Sequence, residues 1–132
     1  MTTIRYQEGQ NEVYNEAGLQ VIGTTAPNLN GLNPKELLEA SLGLCISITL
    51  QKQMEQNGIK ADFSEIVVNV AASKRSGINS RFSDFHIEVA LPNSLTSEEK
   101  AALLKRVELL CTISNTLRIS PDIELTEIEP AL

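Results

Sequence analysis

The period of the hydrophobic positions changes along the chain, and each change marks an element. Residues 3–25 hold short alternating pieces, Val13-Tyr14 and Leu19-Gln20-Val21-Ile22, divided by the turn-rich Asn15-Glu16-Ala17-Gly18. This pattern predicts a β-hairpin or meander at the start of the fold. Residues 26–33 carry Pro, Gly and Asn without a period and read as a loop. Asn33 then supplies an N-cap, Pro34 the first helical position and Glu36 the partner of a capping box. The helix that starts there should run to about Gln56, where Asn57-Gly58 ends it. From Ala40 to Leu50 it has apolar or small residues on every face, the pattern of a helix buried all round, with Cys45 inside the protein. Gly43 in its interior implies that something packs very close to that turn.

Two strand-like stretches follow, residues 66–72 and 82–91. In the second, Phe85, Ile87, Val89 and Leu91 share one face, and Asp84, His86 and Glu88 share the other. A second capping box, Thr96-Ser97-Glu98-Glu99, opens a helix that carries Leu103, Leu104, Val107, Leu110 and Cys111 toward its end. A final alternating run, Ile123–Glu129, reads as a closing strand. Strands, a long helix, strands, a helix and a strand make an α+β class, with a mostly antiparallel sheet and a long buried central helix. One small sheet covers little more than one side of such a helix, so a homodimer is the natural way to bury the rest.

Composition narrows the functional classes. A chain of 132 residues, 42% hydrophobic and 21% charged, is sized for one domain spanning residues 1–132. A net charge of −6 argues against a nucleic-acid partner. The one local basic concentration, Lys74, Arg75 and Arg81, flanks Ser76-Gly77-Ile78-Asn79-Ser80 and reads as a solvated hairpin tip. The N-terminal residues hold no apolar stretch suited to a signal peptide, and no run is long enough to span a membrane, which predicts a soluble, cytoplasmic protein. In that compartment the two cysteines, Cys45 and Cys111, read as thiols with a redox or catalytic task. The sole histidine, His86, lies on the acidic, wet face, with neither a second histidine nor a Cys-x-x-Cys spacing to make a metal site.

Two motifs carry a family resemblance. Asn33-Pro34-Lys35-Glu36-Leu37-Leu38-Glu39-Ala40-Ser41-Leu42-Gly43-Leu44-Cys45 resembles the segment of OsmC/Ohr proteins that runs from an Asn-Pro-Glu helix start to the reactive cysteine. Leu110-Cys111-Thr112-Ile113-Ser114-Asn115-Thr116-Leu117 resembles the second cysteine motif of that family, usually Cys-Pro-Val-Ser with a Leu shortly after. The resemblance implies an intertwined homodimer that reduces organic hydroperoxides through Cys45 as attacking thiol and Cys111 as resolving thiol. A dithiol reductant would recycle it, and no cofactor or metal is implied. The alternative within the same fold is a non-peroxidatic member that binds a small apolar ligand or senses oxidants.

The chain departs from the family pattern at Lys35, where the pattern has a glutamate that works with an N-terminal arginine to hold the thiolate. Glu36 is one residue out of place, and Arg5 is the only arginine before Cys45. Ten helical residues span ~15 Å, so Lys35 either serves the partner chain's cysteine or is an exposed first-turn lysine.

Overall fold

The computed structural model describes residues 1–129. Strands β1 (Thr3–Gln7), β2 (Gln10–Asn15) and β3 (Gly18–Gly23) form an antiparallel three-stranded meander in the order β1-β2-β3. The predicted hairpin region is therefore a full sheet. The loop after it folds back: the Leu32 N–H donates to the Ile22 carbonyl at 3.0 Å, and the Leu32 carbonyl accepts from Thr24 at 2.9 Å. Gly31 makes this approach possible, because a Cβ there would stand 1.8 Å from the Ile22 oxygen.

Helix α1 spans Pro34–Gln56 and begins as its sequence dictates. The Asn33 side chain accepts from the Glu36 N–H at 2.8 Å, and the Glu36 carboxylate accepts from the Asn33 N–H at 2.9 Å. Leu42, Ile46, Leu50 and Met54 recur at helical spacing and are buried. A single 3₁₀ turn, Phe63–Glu65, leads to an antiparallel pair, β4 (Val67–Ser73) and β5 (Asp84–Ala90). The core lies between α1, this pair and helix α2 (Ser97–Leu110), with Leu95, Leu103, Val107 and Cys111 facing the α1 stripe. Gly43 has its predicted close neighbour: a Cβ there would meet Val70 Cγ2 at 3.3 Å. Glu39 ties α1 to β4, its carboxylate accepting the Ala72 N–H at 2.7 Å.

As expected of a single small sheet, this chain covers one face of helix α1 only; Leu44 is 63% and Ile48 40% exposed, and Cys45 is half-buried. The structure corrects the sequence reading in two places. The second helix ends at Leu110. Cys111 then breaks to extended geometry (φ −71°, ψ 107°) and caps a further short helix, α3 (Thr112–Leu117). Residues 123–129 form no strand, and Ile123, Leu125 and Ile128 are exposed. Alternation suits a sheet, but a strand needs backbone partners, and among the described residues this segment pairs with no strand. Among the described residues no helix is long and apolar enough to cross a membrane.

Candidate active site

Cys45 lies midway along α1, at the border between the buried stripe and the open face, and lines a cavity of about 500 Å³. The apolar wall of the cavity is Leu44, Ile48, Leu110 and Ile113, and the exposed Lys52 also lines it. Cys111 is fully buried beside it, at the joint between α2 and α3. The first backbone N–H groups of a helix have no intrahelical acceptor, and Cys111 provides no side-chain cap for α3. Those of Thr112 and Ile113 lie beside the Cys45 sulfur, as does the Cys111 thiol, and each favours its charged form.

These contacts divide the thiols. Burial pushes the Cys45 thiol up; the Ile113 N–H, the Cys111 thiol and the Thr112 N–H together outweigh it, so its pKa falls below the ordinary thiol value. The Thr49 hydroxyl is also beside the sulfur, but its one proton goes to the Cys45 carbonyl at 2.7 Å, which leaves the backbone N–H groups as the main support. Burial pushes the Cys111 thiol up, the N–H of Ser114 opposes it, and donation to Cys45 holds the proton on Cys111. The two neighbouring thiols are thus divided, the proton being held more tightly on Cys111 than on Cys45.

The remaining candidate residues lie elsewhere. Lys35 is half-exposed and sits 3.9 Å from Glu39, one turn along its own helix, so within this chain it is a first-turn surface lysine. Arg5 stacks over the Tyr14 ring at 5.8 Å. His86 is exposed on β5, and among the described residues no cluster of His, Cys, Asp or Glu could hold a metal. The basic tip is internally paired: Arg75 grips Asp84 through two bonds of 2.8 and 3.2 Å, Lys74 lies over Phe82, and Asp84 falls to about 2 through its bonds to Arg75 and Ser83. Thr49, Lys52, Thr112 and Ile113 were not singled out by sequence reasoning. The spacing of Thr49 and Lys52, one and two turns beyond Cys45, is the signal that could have found them.

Comparison with known proteins agrees with this arrangement. The family model described as OsmC-like protein matches residues 26–126, from the loop before α1 to the segment after α3. The chain belongs to the OsmC-like family. The OsmC-like architecture is shared with solved structures at low identity. An OsmC-like protein from Mycoplasma pneumoniae has a TM-score of 0.71 at 17% identity, covering 89% of this chain and 86% of that one. An organic hydroperoxide resistance protein OsmC from Legionella pneumophila scores 0.64 at 18% identity, covering 89% of both chains. The organic hydroperoxide resistance protein OhrB of Bacillus subtilis scores 0.61 at 20% identity, with the same coverage. No curated protein matches the sequence significantly. The chain differs from the motifs it resembles at Lys35, where they have glutamate, and at Thr112 and Ile113, where they usually have proline and valine. The Thr112 difference leaves an N–H beside the Cys45 sulfur, since proline has none.

Proposed function

We propose that this chain is a dithiol-dependent peroxidase of organic hydroperoxides, with Cys45 as the attacking sulfur and Cys111 as the resolving one. The observation that carries the reading is the contact between a lowered and a raised thiol at an apolar cavity. The Cys45 thiolate attacks the outer oxygen of ROOH; an S–O bond forms as the O–O bond breaks, and the alkoxide takes a proton and leaves as alcohol. Sulfur loses two electrons and becomes a sulfenic acid. Cys111 then gives up its proton and attacks the Cys45 sulfur, displacing hydroxide, which departs with that proton as water and leaves a disulfide. An external dithiol reduces the disulfide and is itself oxidised. The cavity's apolar wall favours an alkyl or aryl peroxide over a fully hydrated one.

The protein is read as one cytoplasmic domain that works as a homodimer, the partner roofing the open side of α1 where Leu44 and Ile48 line the cavity. A non-peroxidatic, ligand-binding or oxidant-sensing role is the second reading, favoured by Arg5 and Lys35 being engaged with Tyr14 and Glu39 rather than with the sulfur.

Consumption of cumene hydroperoxide under excess dithiol, compared with hydrogen peroxide, separates the two. Wild type should prefer the organic substrate. Cys45→Ser should be inactive, and Cys111→Ser should consume about one equivalent and stop, with a sulfenic or sulfinic adduct visible by intact mass. Equal activity of both variants with wild type refutes the assignment, and absence of turnover in wild type favours the second reading.

A further inference from the structure

Two Asn-Gly pairs occur in the chain, Asn30-Gly31 and Asn57-Gly58, and the fold holds them differently. Asparagine before glycine readily loses its side-chain amide, because the next backbone nitrogen can attack the side-chain carbonyl carbon and glycine has no Cβ to obstruct the approach. Exposure does not separate the two sites, since both asparagines face solvent. Hydrogen bonding does separate them.

Asn57 caps the end of α1 and is tied at both groups the reaction needs. Its side-chain Nδ2 donates to the Gln53 carbonyl at 2.7 Å, which turns the carboxamide back along the helix. The attacking atom would be the Gly58 nitrogen, whose proton is committed to the Glu55 carbonyl at 3.1 Å, with Gly58 set at φ +66°. Asn30 lacks both ties. Among the described residues its side chain forms no hydrogen bond, and the Gly31 N–H has no acceptor. Only the Asn30 main chain is held here, its N–H donating to Asn28 Oδ1 at 2.8 Å, so the carboxamide can turn toward the Gly31 nitrogen.

We propose that Asn30 is a spontaneous modification site, at which this chain converts with age to isoaspartate, and that its cap protects Asn57. Hydroxide takes the Gly31 amide proton and the nitrogen attacks Asn30 Cγ. A C–N bond closes a cyclic succinimide as the bond from Cγ to the side-chain nitrogen breaks; ammonia leaves with a proton from water, which restores the hydroxide. Water then opens the ring, with no change of oxidation state. Opening at the Cγ carbonyl gives aspartate. Opening at the main-chain carbonyl gives isoaspartate, whose backbone runs through Cβ and is longer by one C–C bond, about 1.5 Å. That extra length falls directly ahead of a close backbone approach: Gly31 packs on the Ile22 carbonyl, Leu32 bonds to Ile22 and Thr24 at 3.0 and 2.9 Å, and Asn33 caps α1. Isoaspartate at this position loosens the joint between β3 and the start of α1, whereas aspartate leaves the main chain as it was.

The test ages the purified full chain in mildly alkaline buffer, folded and, in parallel, unfolded in concentrated urea. Both sites are followed by peptide mapping, with fragmentation that tells isoaspartate from aspartate. In the folded chain Asn30 should convert about tenfold faster than Asn57, the factor that one hydrogen bond on the attacking nitrogen supplies. In urea the two rates should converge, because the dipeptides are the same. Equal rates in the folded chain, a faster Asn57, or no conversion at either site overturns the modification site. The structural consequence is read separately. Aged chains carrying isoaspartate at position 30 should unfold at a lower urea midpoint than fresh wild type, while Asn30→Asp should match fresh wild type. Asn30→Ser, which cannot cyclise, should keep its midpoint through ageing. An unchanged midpoint in the isoaspartate chains, or an equal loss in aged Asn30→Ser, overturns the claim that the joint is loosened.

Discussion

Thr112→Pro isolates one donor of the Cys45 thiolate. The position accepts proline for three reasons: it is the first residue of α3, the preceding Cys111 is extended at ψ 107°, and the Thr112 N–H bonds to no backbone carbonyl. What the substitution removes is the N–H that points at sulfur. A hydrogen bond to a charged group contributes about 1.5–3 kcal/mol. Sulfur is a weak acceptor and Cys45 is half-buried, which brings the expectation to about 1 kcal/mol, or roughly a fivefold loss of thiolate at pH values below the thiol midpoint.

The sign follows from the charge: fewer donors favour the neutral thiol, so the Cys45 pKa rises and the acid limb of the rate profile moves to higher pH. Above the midpoint the variant should approach the wild-type rate. The assay is iodoacetamide alkylation of Cys45 across about pH 5–10, in a Cys111→Ser background so that only one thiol reacts. Thr112→Ala keeps the N–H and should follow wild type. An acid limb that does not move in Thr112→Pro, or moves equally in Thr112→Ala, refutes the argument that the backbone of α3 holds the thiolate. The outcome also bears on the family, because the substitution installs the residue the pattern usually has and is expected to lower reactivity here.

Three further outcomes follow from the packing. Glu39→Ala should destabilise by about 1.5 kcal/mol in urea titrations, since the Ala72 N–H loses its acceptor, while Lys35→Ala should stay within about 0.5 kcal/mol because its ion pair is long and exposed; equal effects would contradict the assignment. Leu50→Ala should cost about 3 kcal/mol by the same measurement, as Leu50 is fully buried in the α1 stripe, and a loss under 1 kcal/mol would show that the stripe is not the core. Light scattering should give a dimer at micromolar concentration that Leu44→Asp weakens, and a monodisperse wild-type monomer would overturn the dimer.

What the sequence determined by itself is what lies within a few residues. Asn33 with Glu36 and Thr96 with Glu99 form the two capping boxes read from their spacing, with bonds of 2.8 to 3.1 Å, because a cap closes over one helical turn whatever the rest of the chain does. Gly43 announced its close neighbour for a similar reason: a glycine inside a helix weakens it unless the missing Cβ makes room for something. The two cysteine motifs were legible as a resemblance. Tertiary structure alone decided the rest. The all-round apolar pattern of α1 could not say which face the chain would cover; the single β4–β5 pair and α2 leave Leu44 and Ile48 open. The alternation of residues 123–129 could not supply the backbone partners a strand requires. The break at Cys111, invisible in the periodicity of α2, turns the first N–H groups of α3 toward Cys45, far away in sequence. Local rules fix where helices begin, but which backbone donors face which sulfur depends on how those helices pack, and packing is set by every buried residue at once.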